Sequence, residues 1–191
     1  MIVLVTGPVR SGKSAFALEL ARESGKTPVY VATCEADARD PEMAERIARH
    51  RAARGAMRTI ETNERSGPTL PEALAGGRAG EALIVDSLGT WLAAHLLALE
   101  ELAAADPVTA ARELERRACA LLPALDGLAA DLVVVAEETG WGVVPPSVLG
   151  RLFRDQLGRT TAALAGRAEH AYLVVAGYAV DLARAGRRVS G

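Results

Sequence analysis

Five short runs of apolar and largely β-branched residues recur along the chain and predict five buried strands. They cover residues 2–6, 28–33, 82–87, 131–137 and 171–176. Each run is apolar almost throughout, whereas a strand with one face in water alternates apolar and polar residues. The pattern therefore predicts strands of a mainly parallel sheet that is covered on both faces.

Between these strands, apolar residues recur at helical spacing. The helical stretches cover about residues 13–24, 41–54, 89–104, 107–125 and 147–165, and a short helix is expected near 71–75. Strands that alternate with helices predict a doubly wound α/β fold, in which ligands bind beyond the carboxyl ends of the strands. The chain of 191 residues shows no repeat or linker, so we expect a single domain over residues 1–191.

The first predicted strand leads directly into a glycine-rich loop, and a helical stretch follows the loop. The loop reads Gly-x-x-x-x-Gly-Lys-Ser and consists of Gly7, Pro8, Val9, Arg10, Ser11, Gly12, Lys13 and Ser14. In this context backbone N–H groups converge on nucleotide phosphates, and glycine allows their close approach. We expect Lys13 to act at the β- and γ-phosphates and the Ser14 hydroxyl to bind Mg²⁺. The loop thus predicts a nucleotide-dependent enzyme.

Three carboxylates at predicted strand ends compete for the role of organising Mg²⁺. Asp86 follows the apolar run 82–85, where P-loop enzymes usually carry that group, so we favour Asp86. A strand-end aspartate can also cap the next helix, which is the alternative role. Glu137 and Glu138, at the end of the fourth predicted strand, are the other candidates.

Residues 41–54 form a well-delimited helical stretch that contains His50. Asp40 suits the N-cap and Gly55 suits the C-terminal stop. Helical spacing puts His50 on one face with Arg46 and Arg54. The stretch is either a solvated basic helix end with an incidental histidine, or a triphosphate-binding helix with a nucleophilic imidazole. In the second case the arginines neutralise phosphates and keep the imidazole uncharged.

The composition and net charge of the chain mainly exclude some classes of binding partner. A formal net charge of −2 gives no bulk attraction to nucleic acid or to anionic membranes, so an anion site has to be local. We expect no nucleic acid partner and no membrane span, because no apolar stretch approaches the necessary length. Cys34 and Cys119 are far apart and lack metal-ligand spacing, which predicts free thiols. The opening residues do not resemble a secretory signal, and we expect a cytoplasmic protein.

Several residues outside these motifs allow more than one interpretation. Trp141 lies between two glycines and could face a flat ligand from a mobile loop, or could be a buried anchor. His95 and His170 neighbour no motif, so structural or surface positions are expected for them. The stretch 89–104, rich in alanine and leucine, could provide an apolar contact surface in an oligomer.

Sequence blocks along the whole chain resemble one family, the bifunctional adenosylcobinamide kinase/adenosylcobinamide-phosphate guanylyltransferase of cobalamin biosynthesis. The block around the loop reads Thr-Gly-x-x-Arg-Ser-Gly-Lys-Ser, and a later one reads Glu-Thr-Gly-Trp-Gly-Val-Val-Pro. The similar blocks follow one another in the family's order and cover residues 6–14, 30–33, 42–50, 138–145, 153–159 and 173–177. A P-loop protein of another type lacks these later blocks.

The resemblance implies two reactions and a site for each. The family phosphorylates the aminopropanol hydroxyl of adenosylcobinamide with ATP or GTP, and then transfers GMP from GTP to that phosphate through a guanylylated histidine. That histidine corresponds to His50. The implied fold is similar to RecA-type P-loop proteins, and the implied assembly is a homotrimer. Beyond the glycine-rich loop, the implied nucleotide contacts are Thr33, Cys34, Glu35, Arg51, Ala52, Ala53, Arg54, Glu61 and Asp86.

Three departures from the family's usual pattern involve four positions. Pro8 and Val9 replace the usual Gly-Ala pair, and Pro8 lacks a backbone donor, so its phosphate contact can differ. Thr161 replaces a common asparagine, and Asp86 replaces a frequent glutamate. The alternative functions are a one-step small-molecule kinase in which His50 is idle and, from another class, a RecA-like DNA-dependent ATPase. The net charge argues against the ATPase.

Overall fold

One seven-stranded sheet organises the chain. The computed structural model describes residues 1–33, 45, 48, 51–52, 54–64 and 66–189. The strands are β1 (Ile2–Gly7), β2 (Thr27–Ala32), β3 (Thr59–Glu61), β4 (Glu81–Asp86), β5 (Asp131–Glu137), β6 (His170–Val175) and β7 (Tyr178–Asp181). Their spatial order is β3-β2-β4-β5-β1-β6-β7. All neighbours are parallel except the β6–β7 pair.

Helices cover both faces of this sheet. They are α1 (Lys13–Glu23), α2 (Leu70–Ala75), α3 (Leu88–Leu97), α4 (Glu100–Ala105), α5 (Pro107–Cys119), α6 (Val148–Ala165) and α7 (Leu182–Ala185), with a 3₁₀ helix at Leu122–Leu125. Among these described helices, none combines the length and the apolar character that a bilayer span requires. The predicted α/β fold with a mainly parallel, doubly covered sheet is confirmed.

Alternation along the strands divides the apolar side chains between two cores. On one face Val3, Val5 and Ile84 pack with Ala17 and Ala21 of α1. The intervening side chains point to the other face, where α3, α5 and α6 cover a larger core. Since both faces are buried, each central strand has to be apolar at every position, which explains its uninterrupted apolar run.

The five predicted strands are confirmed to within one residue at each end. The prediction missed β3 and β7, which are the short edge strands of the sheet. β3 has three residues and β7 has four, and most of their side chains are exposed. Edge strands carry little of the apolar pattern that identifies a buried strand.

Two predicted helices differ from the observed ones. The stretch 89–104 is divided between α3 and α4, and the stretch 107–125 ends in a 3₁₀ turn that contains Pro123. Proline lacks the N–H group that an α-helix would use there. The predicted helix 41–54 lies mostly outside the described residues. Its described positions 45, 48, 51, 52 and 54 are helical.

The prediction that residues 89–104 provide an apolar contact surface in an oligomer is wrong for most of that stretch. Trp91, Leu92 and Leu96 of α3 are at most 5% exposed and belong to the larger core. The exposed apolar side chain of α3 is Leu97, which is 61% exposed. The apolar composition of this stretch therefore reflects burial within the subunit.

Asp131, at the start of β5, is a buried carboxylate at the amino-terminal edge of the sheet. Its Oδ1 atom lies 2.8 Å from Lys26 Nζ and 2.9 Å from the Met1 ammonium. Burial alone would raise the pKa of Asp131, but hydrogen bonds from Lys26 and the chain terminus outweigh burial, and the pKa lies below its usual value. The ion pairs therefore stabilise the fold while Asp131 is ionised.

We expect Asp131→Asn to lower the free energy of unfolding by about 2 kcal/mol near neutral pH, because the substitution leaves the Lys26 ammonium without its partner. The folded-state pKa of Asp131 is lowered, so its contribution is complete above about pH 4 and is lost as the pH falls through the folded-state pKa. Denaturant unfolding should show a difference between parent and variant that shrinks as the solution is acidified.

A matched control is Asp126→Asn, which removes an exposed carboxylate 3.7 Å from Arg167. An exposed pair contributes little, so this variant should cost less than about 0.5 kcal/mol. A destabilisation of Asp131→Asn that stays constant down to about pH 3 would contradict the ion-pair assignment.

Candidate active site

The glycine-rich loop begins at the carboxyl end of β1 and is packed tightly against β6. Gly7 has a φ of +152°, and a Cβ atom there would overlap the carbonyl oxygen of Val174. Gly12 has a φ of +104° and forms the N-cap of α1. Both positions therefore require glycine. Gly7 has no room for a side chain beside Val174, and Gly12 has a left-handed backbone conformation. The strand–loop–helix context predicted for the motif is present.

Hydrogen bonds from three parts of the chain hold the loop. The Glu138 amide, just after β5, donates to the Gly7 carbonyl at 2.9 Å, and the Gly177 amide in the β6–β7 turn donates to the Ser11 carbonyl at 3.2 Å. Lys13 Nζ donates to the Pro8 carbonyl at 2.8 Å. Lys13 is only 7% exposed, so its stem is buried beneath the loop. These hydrogen bonds fix the shape of the loop backbone.

Two hydroxyl groups beside the loop are buried without a hydrogen-bond partner among the described residues. They belong to Ser11, which is 5% exposed, and to Thr6, which is 7% exposed. A buried hydroxyl without a partner costs free energy, and native structures seldom contain one without a functional or solvent-related reason. A phosphate oxygen bound in the loop would provide an acceptor for the Ser11 hydroxyl.

The three candidate carboxylates have different environments. Glu137 accepts a hydrogen bond from Ser87 Oγ at 2.5 Å with Oε1 and one from the Gly89 amide at 3.0 Å with Oε2. A Cβ atom on Gly89 would overlap this carboxylate. Both oxygens of Glu137 therefore stabilise the first turn of α3. Glu138 accepts from the Gly140 amide at 2.7 Å in the following loop.

Asp86 ends β4 and accepts a hydrogen bond from the Tyr30 hydroxyl at 2.6 Å. Its side chain does not cap the next helix, because Ser87 is the N-cap of α3 and forms a capping box with Thr90. The alternative role of Asp86 as a cap is therefore wrong. Glu137 has both oxygens engaged by the first turn of α3, and the assignment of Mg²⁺ to Asp86 stays a prediction.

Arg54 and Arg51 connect the end of the His50-containing stretch to the sheet. The Arg54 guanidinium carbon lies 3.9 Å from the centre of the Tyr30 ring, and Arg54 is 8% exposed. Arg51 forms an exposed ion pair with Glu61 at 2.6 Å. Ala52 is exposed. The predicted site residues Cys34, Glu35, His50 and Ala53 lie outside the described residues.

Thr33 is buried at the end of β2, and its hydroxyl group serves the fold. It accepts a hydrogen bond from the Ser87 amide at 2.9 Å and donates to the Ser87 carbonyl at 2.7 Å. It also lies 2.6 Å from the Thr90 hydroxyl. These bonds join β2 to the start of α3. A nucleotide contact of Thr33 stays a prediction.

The Trp141 side chain is 65% exposed, so its interpretation as a buried anchor is wrong. Val143 and Val144 in the same loop are 94% and 58% exposed. The loop follows Glu138, whose amide binds the Gly7 carbonyl, and therefore starts beside the phosphate-binding loop. An apolar ligand could contact these side chains.

The two histidines outside the motifs have structural partners, as predicted. His95 Nε2 lies 3.5 Å from Glu64, and its ring packs on Trp91. Burial lowers the pKa of His95 despite the opposing effect of Glu64. His170 Nδ1 lies 3.2 Å from Asp181 across the β6–β7 pair. Cys119 is a free, exposed thiol.

The register of the sheet brings most predicted site residues to one edge. Gly7 pairs with Glu137, Ala32 pairs with Asp86, and Ala32 also pairs with Glu61. The glycine-rich loop, Asp86 and Glu61 therefore all follow carboxyl ends of parallel strands. Sequence reasoning missed the role of Tyr30, although strand alternation puts residues 30, 84 and 86 on one face once β2 and β4 are paired.

The comparison with known proteins agrees with this architecture. A family model described as cobinamide kinase / cobinamide phosphate guanyltransferase matches residues 3–182. The chain belongs to this family. The family resemblance and the prediction of a transferase are thereby confirmed.

Curated relatives match nearly the whole chain. The bifunctional adenosylcobalamin biosynthesis protein CobP of Pseudomonas aeruginosa is 41% identical over 180 residues, which cover 94% of this chain and 95% of that protein. The bifunctional adenosylcobalamin biosynthesis protein CobU of Salmonella typhimurium is 33% identical over 186 residues, and the protein of the same name from Escherichia coli is 33% identical over 188 residues. Each of these two matches covers 95% of this chain and 99% of the relative.

We expect Lys13→Met to reduce nucleotide turnover by at least about a hundredfold, because it removes the positive charge from the phosphate site. Methionine retains the buried stem, so the free energy of unfolding should fall by only about 1 kcal/mol through loss of the hydrogen bond to Pro8. Steady-state phosphate release and denaturant unfolding measure the two effects.

Lys26→Met is the matched control, because Lys26 lies at the opposite edge of the sheet beside Asp131. It should lose stability while retaining nucleotide turnover. Unfolding of Lys13→Met, or turnover close to that of the parent, would refute the phosphate role of Lys13.

Proposed function

We propose that this protein phosphorylates adenosylcobinamide with ATP or GTP and then transfers GMP from GTP to adenosylcobinamide phosphate. The product is adenosylcobinamide-GDP, an intermediate of cobalamin biosynthesis. The observation that carries the proposal is a glycine-rich loop held by hydrogen bonds, with Asp86 at the same sheet edge, in a member of the cobinamide kinase family. Both reactions develop negative charge on phosphate, so one set of positive groups serves both.

In the first reaction, the aminopropanol hydroxyl attacks the γ-phosphorus, the bond to the bridging oxygen breaks, and the hydroxyl proton is released. Backbone amides of the loop and Lys13 hold the phosphates. Lys13 has to exchange its hydrogen bond to Pro8 for one to phosphate. Catalysis then depends on orientation and charge stabilisation rather than on covalent chemistry with the protein.

Ser14 and Asp86 would hold Mg²⁺ together with the nucleotide. A hydroxyl and a carboxylate are oxygen ligands of the kind that Mg²⁺ prefers, and Mg²⁺ takes few protein ligands when phosphates supply the others. Among the described residues no cluster of three or more acidic, histidine or cysteine side chains could bind a metal. The bound ion would neutralise charge on the phosphate oxygens.

In the second reaction, His50 is the proposed nucleophile. A neutral ring nitrogen attacks the α-phosphorus of GTP, the bond to the β-phosphate breaks, and pyrophosphate leaves. A phosphate oxygen of adenosylcobinamide phosphate then attacks the same phosphorus and restores the histidine. Arg51 and Arg54 follow His50 by one and four residues, and their charges favour both the bound triphosphate and a neutral imidazole.

The corrinoid has to bring its hydroxyl to the phosphate-binding loop, and the Trp141 loop begins beside it. We infer that the exposed Trp141 ring packs against the flat macrocycle. We also propose a homotrimer, and a cytoplasmic location as for other biosynthetic enzymes. The trimer is supported by β7, which is an edge strand among the described residues and carries the exposed apolar side chains of Tyr178 and Val180, at 79% and 46%. Light scattering that shows only a monomer at working concentrations would exclude the trimer.

We expect His50→Ala to abolish covalent labelling by GTP that is labelled at its α-phosphate, while phosphorylation of adenosylcobinamide remains measurable. The label on the parent should be acid-labile and base-stable, as a phosphoramidate is. Labelling should also be lost at low pH, where protonation removes the free lone pair of the imidazole.

His170→Ala is the matched control, because His170 pairs with Asp181 on the β6–β7 pair and should leave labelling intact. A His50→Ala enzyme that still acquires the label would show that another residue is the nucleophile. Parent protein that phosphorylates adenosylcobinamide but never acquires a label would support a one-step kinase.

We expect Trp141→Ala to raise the KM for adenosylcobinamide about tenfold and to leave the KM for nucleotide unchanged, since only contact with the macrocycle is removed. Val108→Ala, which truncates an apolar side chain that is 60% exposed on α5, should change neither value. Equal changes in both KM values for Trp141→Ala would show that the loop supports the site as a whole.

A further inference from the structure

Tyr30 is a buried aromatic residue on the same face of the sheet as Asp86. It lies on β2, is 7% exposed, and pairs with Ile84 of β4. Asp86 is two residues beyond Ile84, so alternation returns its side chain to the Tyr30 face at a diagonal position. The phenolic hydroxyl reaches across this diagonal and donates to Asp86 Oδ2 at 2.6 Å.

The aromatic ring of Tyr30 contacts Arg54. The guanidinium carbon lies 3.9 Å from the ring centre, and Arg54 is 8% exposed. A cation that is stacked on an aromatic face and largely removed from water is held more firmly than one at the surface. Arg54 also donates to Thr59 Oγ1 at 3.5 Å at the start of β3. The ring thus fixes the end of the stretch that contains His50.

We propose that Tyr30 is a positioning residue that holds Arg54 with its ring and Asp86 with its hydroxyl in one arrangement at the nucleotide site. The inference rests on the proposed function in assigning Arg54 to the nucleotide and Asp86 to Mg²⁺. The Tyr30 side chain then joins Arg54, which follows the proposed guanylyl acceptor by four residues in the sequence, to Asp86, the carboxylate assigned to Mg²⁺.

The two contacts can be separated by substitution, since the ring and the hydroxyl act on different partners. Tyr30→Phe keeps the ring over which Arg54 stacks and removes the hydrogen bond to Asp86. Tyr30→Leu removes both. Tyr172→Phe is the matched control, because Tyr172 lies on the same face of the sheet and its ring packs against Phe16, away from Asp86.

The measurement is equilibrium binding of a GTP analogue with a methylene bridge between its α- and β-phosphates, which cannot transfer GMP. Calorimetric titrations in EDTA and in Mg²⁺ give the metal-free affinity and the gain in affinity that the metal produces. Tyr30→Phe should have the same Kd as the parent in EDTA. The factor by which Mg²⁺ improves affinity should be about tenfold smaller in Tyr30→Phe than in the parent, and we expect the same reduction in Asp86→Asn. Tyr172→Phe should match the parent in both.

Tyr30→Leu should in addition weaken the metal-free affinity by about tenfold, as Arg54→Ala should. The double variant Tyr30→Leu/Arg54→Ala should bind no more weakly in EDTA than Arg54→Ala alone, because both changes remove the same contact. If Tyr30→Leu does not fold, Arg54→Lys serves instead. It keeps the charge but loses the guanidinium group that lies over the Tyr30 ring, and it should weaken metal-free binding by a similar factor.

Parent-like Mg²⁺ dependence of Tyr30→Phe beside a defective Asp86→Asn would overturn the role of the hydroxyl. Additive losses of metal-free affinity in Tyr30→Leu/Arg54→Ala would overturn the role of the ring. If Tyr30→Leu does not fold, parent-like binding by Arg54→Lys would overturn it instead. An unaffected Asp86→Asn would overturn the metal assignment and the role of the hydroxyl with it. The titrations use no corrinoid, so a failure to turn over adenosylcobinamide would refute the proposed function separately.

Discussion

The close approach of Gly7 to the Val174 carbonyl is the constraint on which the phosphate site depends. It leaves no room for a side chain on Gly7 and brings the loop against the turn between β6 and β7. The Gly177 amide and the Glu138 amide then bind loop carbonyls from two neighbouring strands. A loop that is held at its carbonyls can direct its own amides toward an anion. The geometry of the loop therefore depends on β5 and β6 lying on either side of β1 in the sheet.

The central part of the fold could be predicted from sequence because burial on both faces makes every position apolar. β1, β2, β4 and β5 show this burial, and β6 keeps an apolar run although Val174 is its one buried residue. The edge strands β3 and β7 lack the pattern. The prediction also missed the break between α3 and α4, since Leu99 at the break is buried like Leu96 and Ala103 and keeps the helical spacing of apolar residues continuous. Periodicity reports burial, and it does not report where the backbone changes direction.

The candidate site was predictable where one motif contains its whole chemistry, as the glycine-rich loop does. It was less predictable where partners come from different strands. Glu137 and Asp86 both end apolar runs, and only the structure shows that Ser87 and Gly89 bind both oxygens of Glu137. Tyr30 lies in an apolar run with no local sign of function, because its contacts to Asp86 and Arg54 depend on strand pairing.

The hydrogen bond between Lys13 and the Pro8 carbonyl has a consequence for how strongly nucleotide is bound. Proline offers the loop a carbonyl and no amide, and Lys13 uses that carbonyl as an internal stand-in for phosphate. Binding then exchanges one interaction of the ammonium group for another, so the observed affinity contains only the difference between them. The hydrogen bonds that hold the loop carbonyls also limit the conformational entropy that the loop loses when phosphate binds. Because this carbonyl belongs to the backbone, a replacement of Pro8 would keep the competition for Lys13 and would add an amide that can bind phosphate.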